Sequence, residues 1–253
     1  MEAVFQIASA YGEEAIHAAE QVRTEPLLDF GTVNLPLFGE TSIGITNWMV
    51  TFWIIALVII VCSIIATHKM KMVPSGLQNL MEWAVAGLTN FFSGVMGKKD
   101  GEYFAPMLIT FFIFILCSNY SSLLPLAGMV EGFAVPTSYI NVTAGFALVT
   151  FFCIHVYGVK ANRIHYLKHF VSPFAFLLPI LLLEEVVKPV ALAIRLYGNI
   201  YGEEEVVLQL ANLIPIGLPV VMQLLGALFG LIQALVFTLL SSIYISTAMG
   251  EAH

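Results

Sequence analysis

Apolar positions in this chain come mostly in runs too long for a soluble fold. From about Trp48 to Thr67 nearly every residue is apolar, and the run stops at His68-Lys69-Met70-Lys71. Similar runs cover about Tyr103–Leu124, closed by Pro125, and about Asn141–Val159, closed by Lys160 with Arg163 and Lys168 beyond it. A helix needs about 20 such residues to cross the hydrocarbon of a bilayer. Three roughly perpendicular spans are therefore predicted at about 48–67, 103–124 and 141–159. Residues 74–97 read differently: Leu77, Leu80, Met81, Ala84, Val85 and Leu88 recur at helical spacing beside Gln78, Asn79 and Glu82. That pattern predicts an amphipathic helix at the interface or packed on the bundle. Two further runs, 174–213 and 216–248, each exceed one perpendicular crossing and are broken by Pro215, Gly217 and Pro219. They predict a hairpin of two long helices, steeply tilted in or nearly parallel to the membrane.

Composition agrees. Of 253 residues, 59% are hydrophobic and 11% charged, and the mean hydropathy is +0.89. Soluble domains carry about 25% charged residues. The fold class expected is an all-α polytopic membrane protein with one membrane domain, 48–253, behind an extracytoplasmic segment, 1–47. That segment is acidic, with six glutamates and Asp29 against Arg23 by residue 40, the wrong sign for a signal or transit peptide. A net charge of −7 with ten scattered basic residues is no nucleic-acid signature. Cys62, Cys117 and Cys153 lie within apolar runs as small hydrophobes, giving no disulfide framework and no metal spacing. No cofactor is implied.

Basic residues orient the spans. Lys69, Lys71, Lys98, Lys99, Lys160, Arg163 and Lys168 all fall in connections that one topology places on the same side. By the positive-inside tendency that side is cytoplasmic and the N-terminus is outside.

Two basic residues remain inside the hairpin, Lys188 and Arg195. No carboxylate stands between Glu185 and Glu203, so Arg195 is a cation without a neighbour in an apolar stretch. Arginine keeps its proton at any physiological pH, and at a bilayer centre it costs at least about 2.5 kcal/mol on insertion scales. It persists there with a partner or a task. At 100° per residue, Glu184, Lys188, Arg195, Asn199 and Gly202 share one helix face. Glu184 and Lys188 can neutralise each other at i,i+4. A structural interhelical ion pair and an ion path are both open readings of this face. Glu203-Glu204-Glu205 lies about 12 to 15 Å along the axis from Arg195; three adjacent carboxylates cannot all be dry and ionised, so the segment meets water or binds protons. In the last helix Gln233 is the strongly polar side chain of the mid-segment, and Gly226-Ala-Leu-Phe-Gly230 is a small-xxx-small pattern for close helix approach.

These residues together resemble subunit a of the F-type ATP synthase, the stator half of its membrane motor. The resemblance rests on Lys188-Pro189 followed by Arg195-Leu-Tyr-Gly198-Asn199, a carboxylate nine residues on at Glu204, and Gln233-Ala in the last helix. Ser118-Asn119-Tyr120 and Pro136-Thr137 through Asn141-Val-Thr143 also look like the family, over about residues 25–250. The resemblance implies an ion-translocating, non-catalytic subunit whose partners are a c-subunit ring, the peripheral stalk subunit b and the rest of the complex. It implies two offset half-channels for H+ or Na+, Arg195 as electrostatic gate, and a home in the bacterial plasma membrane, with a thylakoid membrane as alternative. Arg195, Glu204, Asn199 and Gln233 take the ion-translocation positions, with Glu203, Glu205, Lys188 and Glu184 as further half-channel lining. Gly226 stands where some members carry histidine, so a Glu–His relay there is excluded.

Two other classes compete on the residues alone. An anion transporter would want a mid-membrane arginine, but no repeat relates the halves of the chain. An intramembrane hydrolase would show His-Glu-x-x-His or Gly-x-Ser-x-Gly, and neither occurs.

Overall fold

A computed structural model describes residues 28–35, 39–68, 70–123, 133–162, 178–213 and 217–250. The start of the first hairpin run at 174–177, the basic residues Lys69, Arg163 and Lys168, and the C-terminal tripeptide lie outside the described residues.

The membrane domain is all helical. α1 (Asn47–His68) is apolar on every side, and only 11% of its most hydropathic window is buried. Its buried residues Asn47, Thr51, Ile55 and Ala66 form a narrow strip; Trp53, Leu57, Val58 and Ile65 face outward. Such a surface suits lipid, where no water competes for it. α2 (Leu77–Met96) starts after Gly76, whose φ is +60°. Gln78 closes the turn before it, accepting from the Lys71 amide at 3.2 Å and donating to the Lys71 carbonyl at 3.1 Å. α2 buries Phe92 and Met96 and leaves Leu80 and Trp83 exposed.

α3 (Lys98–Tyr120) follows after a single residue. Gly97, at φ +85°, makes the reversal in a region that favours glycine. The sequence places Lys98-Lys99-Asp100 in a connection before a span at 103. They instead form the first turn of α3, where Asp100 suits the positive end of the helix dipole. A Cβ on Gly101 would collide with the Ser93 backbone, so this glycine lets α2 and α3 close on each other. α3 runs into a 3-10 turn at Ser121–Leu123; a second, Pro136–Ser138, leads into α4 (Ile140–Asn162).

The hairpin consists of α5 (Leu178–Leu213), 36 residues, and α6 (Leu218–Gly250), 33 residues. At 1.5 Å per residue each is about 50 Å long, well beyond the roughly 30 Å of hydrocarbon. Gly217, at φ +95°, precedes α6. α6 is the central element and packs against α3, α4 and α5.

Two apolar clusters mark the two depths of the bundle. One joins Phe92 and Met96 of α2, Phe104 and Leu108 of α3, Ile154 of α4 and Ile245 and Ala248 of α6. The other joins Phe111 and Ile115 of α3, Ala147 of α4, Leu192 and Leu196 of α5 and Phe237 of α6. Lys98 and Lys99 begin α3 and Lys160 ends α4; Tyr103 and Tyr157, with hydroxyls 3.4 Å apart, bring those ends together. The described basic termini of these helices therefore share one end of the bundle, with the C-terminal end of α6.

Before α1 stands an element absent from the expected all-helical order. β1 (Leu28–Leu35) and β2 (Gly39–Ile45) form an antiparallel ribbon pairing Leu28 with Ile45 and Leu35 with Gly39.

Candidate functional site

The helix α5 carries Arg195 near its middle, on the side turned from the bundle core. Leu192, Ala193, Leu196 and Ile200 are buried; Ile194 and Arg195 are exposed. The guanidinium lies at a cleft of about 480 Å³ between α5 and α6, lined by Arg195, Gly198 and Asn199 from α5 and by Phe229, Ile232 and Gln233 from α6. Three of the residues singled out in the sequence, Arg195, Asn199 and Gln233, thus converge from two helices.

Their chemistry is one-sided. Arg195 has five N–H donors and no acceptor. Among the described residues it has no ion-pair partner. Gln233 is only 6% exposed, yet its Nε2 donor has no hydrogen-bond partner among the described residues. Asn199 Nδ2 makes only a long contact, 3.5 Å, to the Phe229 carbonyl. A buried amide donor left unsatisfied costs about 1–3 kcal/mol. A cleft with an unsatisfied amide donor beside a fixed cation calls for an acceptor, best a carboxylate.

The flanks of the cleft are apolar and open. Leu183, Val187, Val190 and Ile194 on α5, with Leu224, Leu228, Phe229 and Ile232 on α6, are all exposed.

Glu203 lies apart from the cleft, about 12 Å further along α5 at 1.5 Å per residue. Its carboxyl occupies the space beside Gly226, where any Cβ would collide with it. The three carboxylates therefore separate: Glu203 is packed against α6, while Glu204 and Glu205 are half-buried elsewhere on α5. Lys188 lies about 10 Å from Arg195 in the other direction. Its ammonium sits 2.6 Å from Glu185 and 3.3 Å from Glu184. Sequence spacing named Glu184 and missed Glu185, whose i,i+3 position was the available signal; Glu185 is both nearer and less exposed, 17% against 60%. Neither Lys188 nor Glu184 joins the cleft.

Sequence reasoning about the site also passed over a buried polar cluster behind α6. Asn119 of α3 donates to the Gly230 carbonyl at 2.9 Å and accepts from the Thr137 hydroxyl at 2.8 Å. Both residues stood only within family-like strings, with no role.

Fold and cleft together define a class: a multi-pass helical membrane protein that holds an uncompensated cation at the exposed side of a long hairpin. The ATP synthase A chain family matches residues 49–246. This chain belongs to that family. It is 40% identical over 230 residues to ATP synthase subunit a of Trichlorobacter lovleyi, covering 89% of this chain and 97% of that one. Against ATP synthase subunit a of Geobacter sulfurreducens the identity is 38% over 205 residues, 79% of this chain and 86% of the other. For the Citrifermentans bemidjiense protein of the same name it is 42% over the same length and shares.

Proposed function

We propose that the chain is the ion-translocating stator subunit of an F-type ATP synthase, coupling H+ or Na+ flow to rotation of a c-subunit ring. The observation that carries this reading is the uncompensated Arg195 in a donor-lined cleft opening on an apolar helical face. An apolar face of that length suits the outer helices of a ring, and the cleft suits a carboxyl carried on each ring subunit. An ionised ring carboxyl is attracted to the guanidinium, and a protonated one is not. Because Arg195 cannot release its proton, it acts as an electrostatic gate and not as a relay. A cation between two half-channels also bars an ion from passing directly, so the ion leaves only by riding the ring. Each unit charge crossing 100 mV contributes about 2.3 kcal/mol, which is why several ions serve one ATP.

We assign the carboxylate contact with α6 to Glu203, packed beside Gly226, and entry from the aqueous side to Glu204 and Glu205. Asn199 and Gln233 hold the arriving carboxyl beside Arg195. Glu184, Glu185 and Lys188 form a compensated group on the other side of the gate. In this reading residues 1–47 lie outside a bacterial plasma membrane, 48–253 form the membrane domain, subunit b braces it, and ATP chemistry belongs to other subunits.

The test is ATP-driven acidification of proteoliposomes holding the whole complex, wild type beside Arg195→Ala, without added sodium. Acidification by the wild type and none by the variant is the expected result for a proton motor. Sodium-dependent pumping keeps the motor and changes the ion. A variant that pumps like the wild type makes the arginine structural and ends this reading.

A further inference from the structure

α6 carries Gly226 and Gln233 one turn either side of Gly230, so its depth and rotation decide whether Glu203 and the cleft are both in place. Apolar packing alone sets depth weakly, because an apolar face slides over another with little change in contact. A side-chain hydrogen bond to one carbonyl is sharper, since the next carbonyl on that face is about 5.4 Å away.

Such a bond exists here. Asn119, 3% exposed, donates Nδ2 to the Gly230 carbonyl at 2.9 Å. A helix carbonyl already accepts from the amide four residues on, and its second lone pair is free for this. The approach depends on Gly230: a Cβ there would stand 3.1 Å from Asn119 Cβ. The amide is itself oriented. The hydroxyl of Thr137, fully buried, donates to Asn119 Oδ1 at 2.8 Å, which turns Nδ2 towards α6. Ser118 Oγ lies 3.3 Å from the Thr137 oxygen and completes the chain. On the opposite side Asn199 reaches the preceding carbonyl, Phe229, at 3.5 Å. Consecutive carbonyls of α6, one turn before Gln233, are thus approached by asparagines from two helices.

We propose that Asn119, oriented by Thr137, is a positioning residue that fixes the register of α6 for ion translocation. This rests on the motor reading above.

The experiment uses the whole complex in proteoliposomes, with Asn119→Ala, Thr137→Val, Thr137→Ser and Arg195→Ala side by side. Subunit assembly, ATP-driven pumping and α6 register are read for each. Register is read from a disulfide between Thr150→Cys and Ser241→Cys, whose native hydroxyls lie 3.3 Å apart, with Cys62, Cys117 and Cys153 replaced by alanine. Asn119→Ala and Thr137→Val are expected to assemble, to pump on the order of tenfold more slowly, and to form the disulfide in lower yield. Thr137→Ser, which keeps the hydroxyl, is expected to restore both readouts. Wild-type pumping with full disulfide yield in Thr137→Val and in Asn119→Ala overturns the assignment. So does loss of pumping in Thr137→Ser equal to that in Thr137→Val, because keeping the hydroxyl that orients Asn119 would then restore nothing. If Asn119→Ala does not assemble, the Thr137 pair decides. If Arg195→Ala pumps like the wild type, the motor reading itself falls and takes this assignment with it; a silent Arg195→Ala beside normal Asn119 and Thr137 variants removes the positioning role alone.

Discussion

At the scale of single residues the molecule turns on which charged side chains have partners. Arg195 was legible in the sequence because a fixed cation amid apolar neighbours persists only with a partner or a task. What the sequence withheld was its surroundings, since Gln233 is 38 positions away and reaches the cleft only through the packing of α5 on α6. Glu203 shows the same limit. Spacing gave no means of choosing among three adjacent carboxylates. What the structure adds is Gly226, whose missing side chain makes room for the Glu203 carboxyl against α6. Gly226→Ala should therefore displace that carboxyl and slow ATP-driven pumping by about tenfold or more, the scale of a misplaced group at a reacting centre. Adding Glu203→Asp, one methylene shorter, should recover part of the rate; no recovery would show that the two positions do not act through contact. The lysine cluster gives a second expectation. Glu185→Gln removes the nearer, more buried partner of Lys188 and should destabilise the subunit by about 1–2 kcal/mol. Glu184→Gln removes an exposed partner and should cost less than about 1 kcal/mol. Thermal unfolding of the purified complex, read by release of this subunit, ranks the two.

At the scale of elements, hydropathy located helices well because in lipid a helix satisfies its own backbone and needs only apolar side chains. Ends were harder. Lys98 and Lys99 look like a loop to any reading by polarity, yet they belong to α3 because Gly97 reverses the chain in one residue. The ribbon of β1 and β2 is less legible for a different reason: its segment stands out by charge and not by periodicity. Its signal lay in short β-branched stretches, Thr32-Val33 and Thr41-Ser42-Ile43, on either side of Pro36 and Gly39. The α2–α3 hairpin depends on Gly101 as much as on Gly97. Gly101→Leu should force the helices apart against the Ser93 backbone and cost about 1–3 kcal/mol, the usual penalty for overpacking. The check is the fraction of subunit retained in the complex after mild heating in detergent, with Gly94→Leu as control, because a side chain at Gly94 meets open space.

At the scale of the whole molecule, the face assigned above to translocation is a liability for the isolated chain. The flanks of the cleft expose Val190 and Ile194 beside an exposed Arg195. Against lipid, the valine and isoleucine are at home and the arginine is not. A cation facing hydrocarbon costs at least about 2.5 kcal/mol, partly relieved by local thinning and water. In the proposed motor a ring carboxyl removes that cost and gives the unsatisfied Gln233 donor an acceptor. The subunit should thus be less stable without its ring than with it, and the difference should reside in one residue. In cells that make this chain but no ring subunit, Arg195→Leu should lengthen its half-life in a pulse-chase several-fold. In cells with the complete complex, the same substitution should abolish ATP-driven pumping and give no such gain. A half-life indifferent to the substitution in both settings would mean that Arg195 is already satisfied within the chain. The opposed effects follow only if the arginine is kept for its partner.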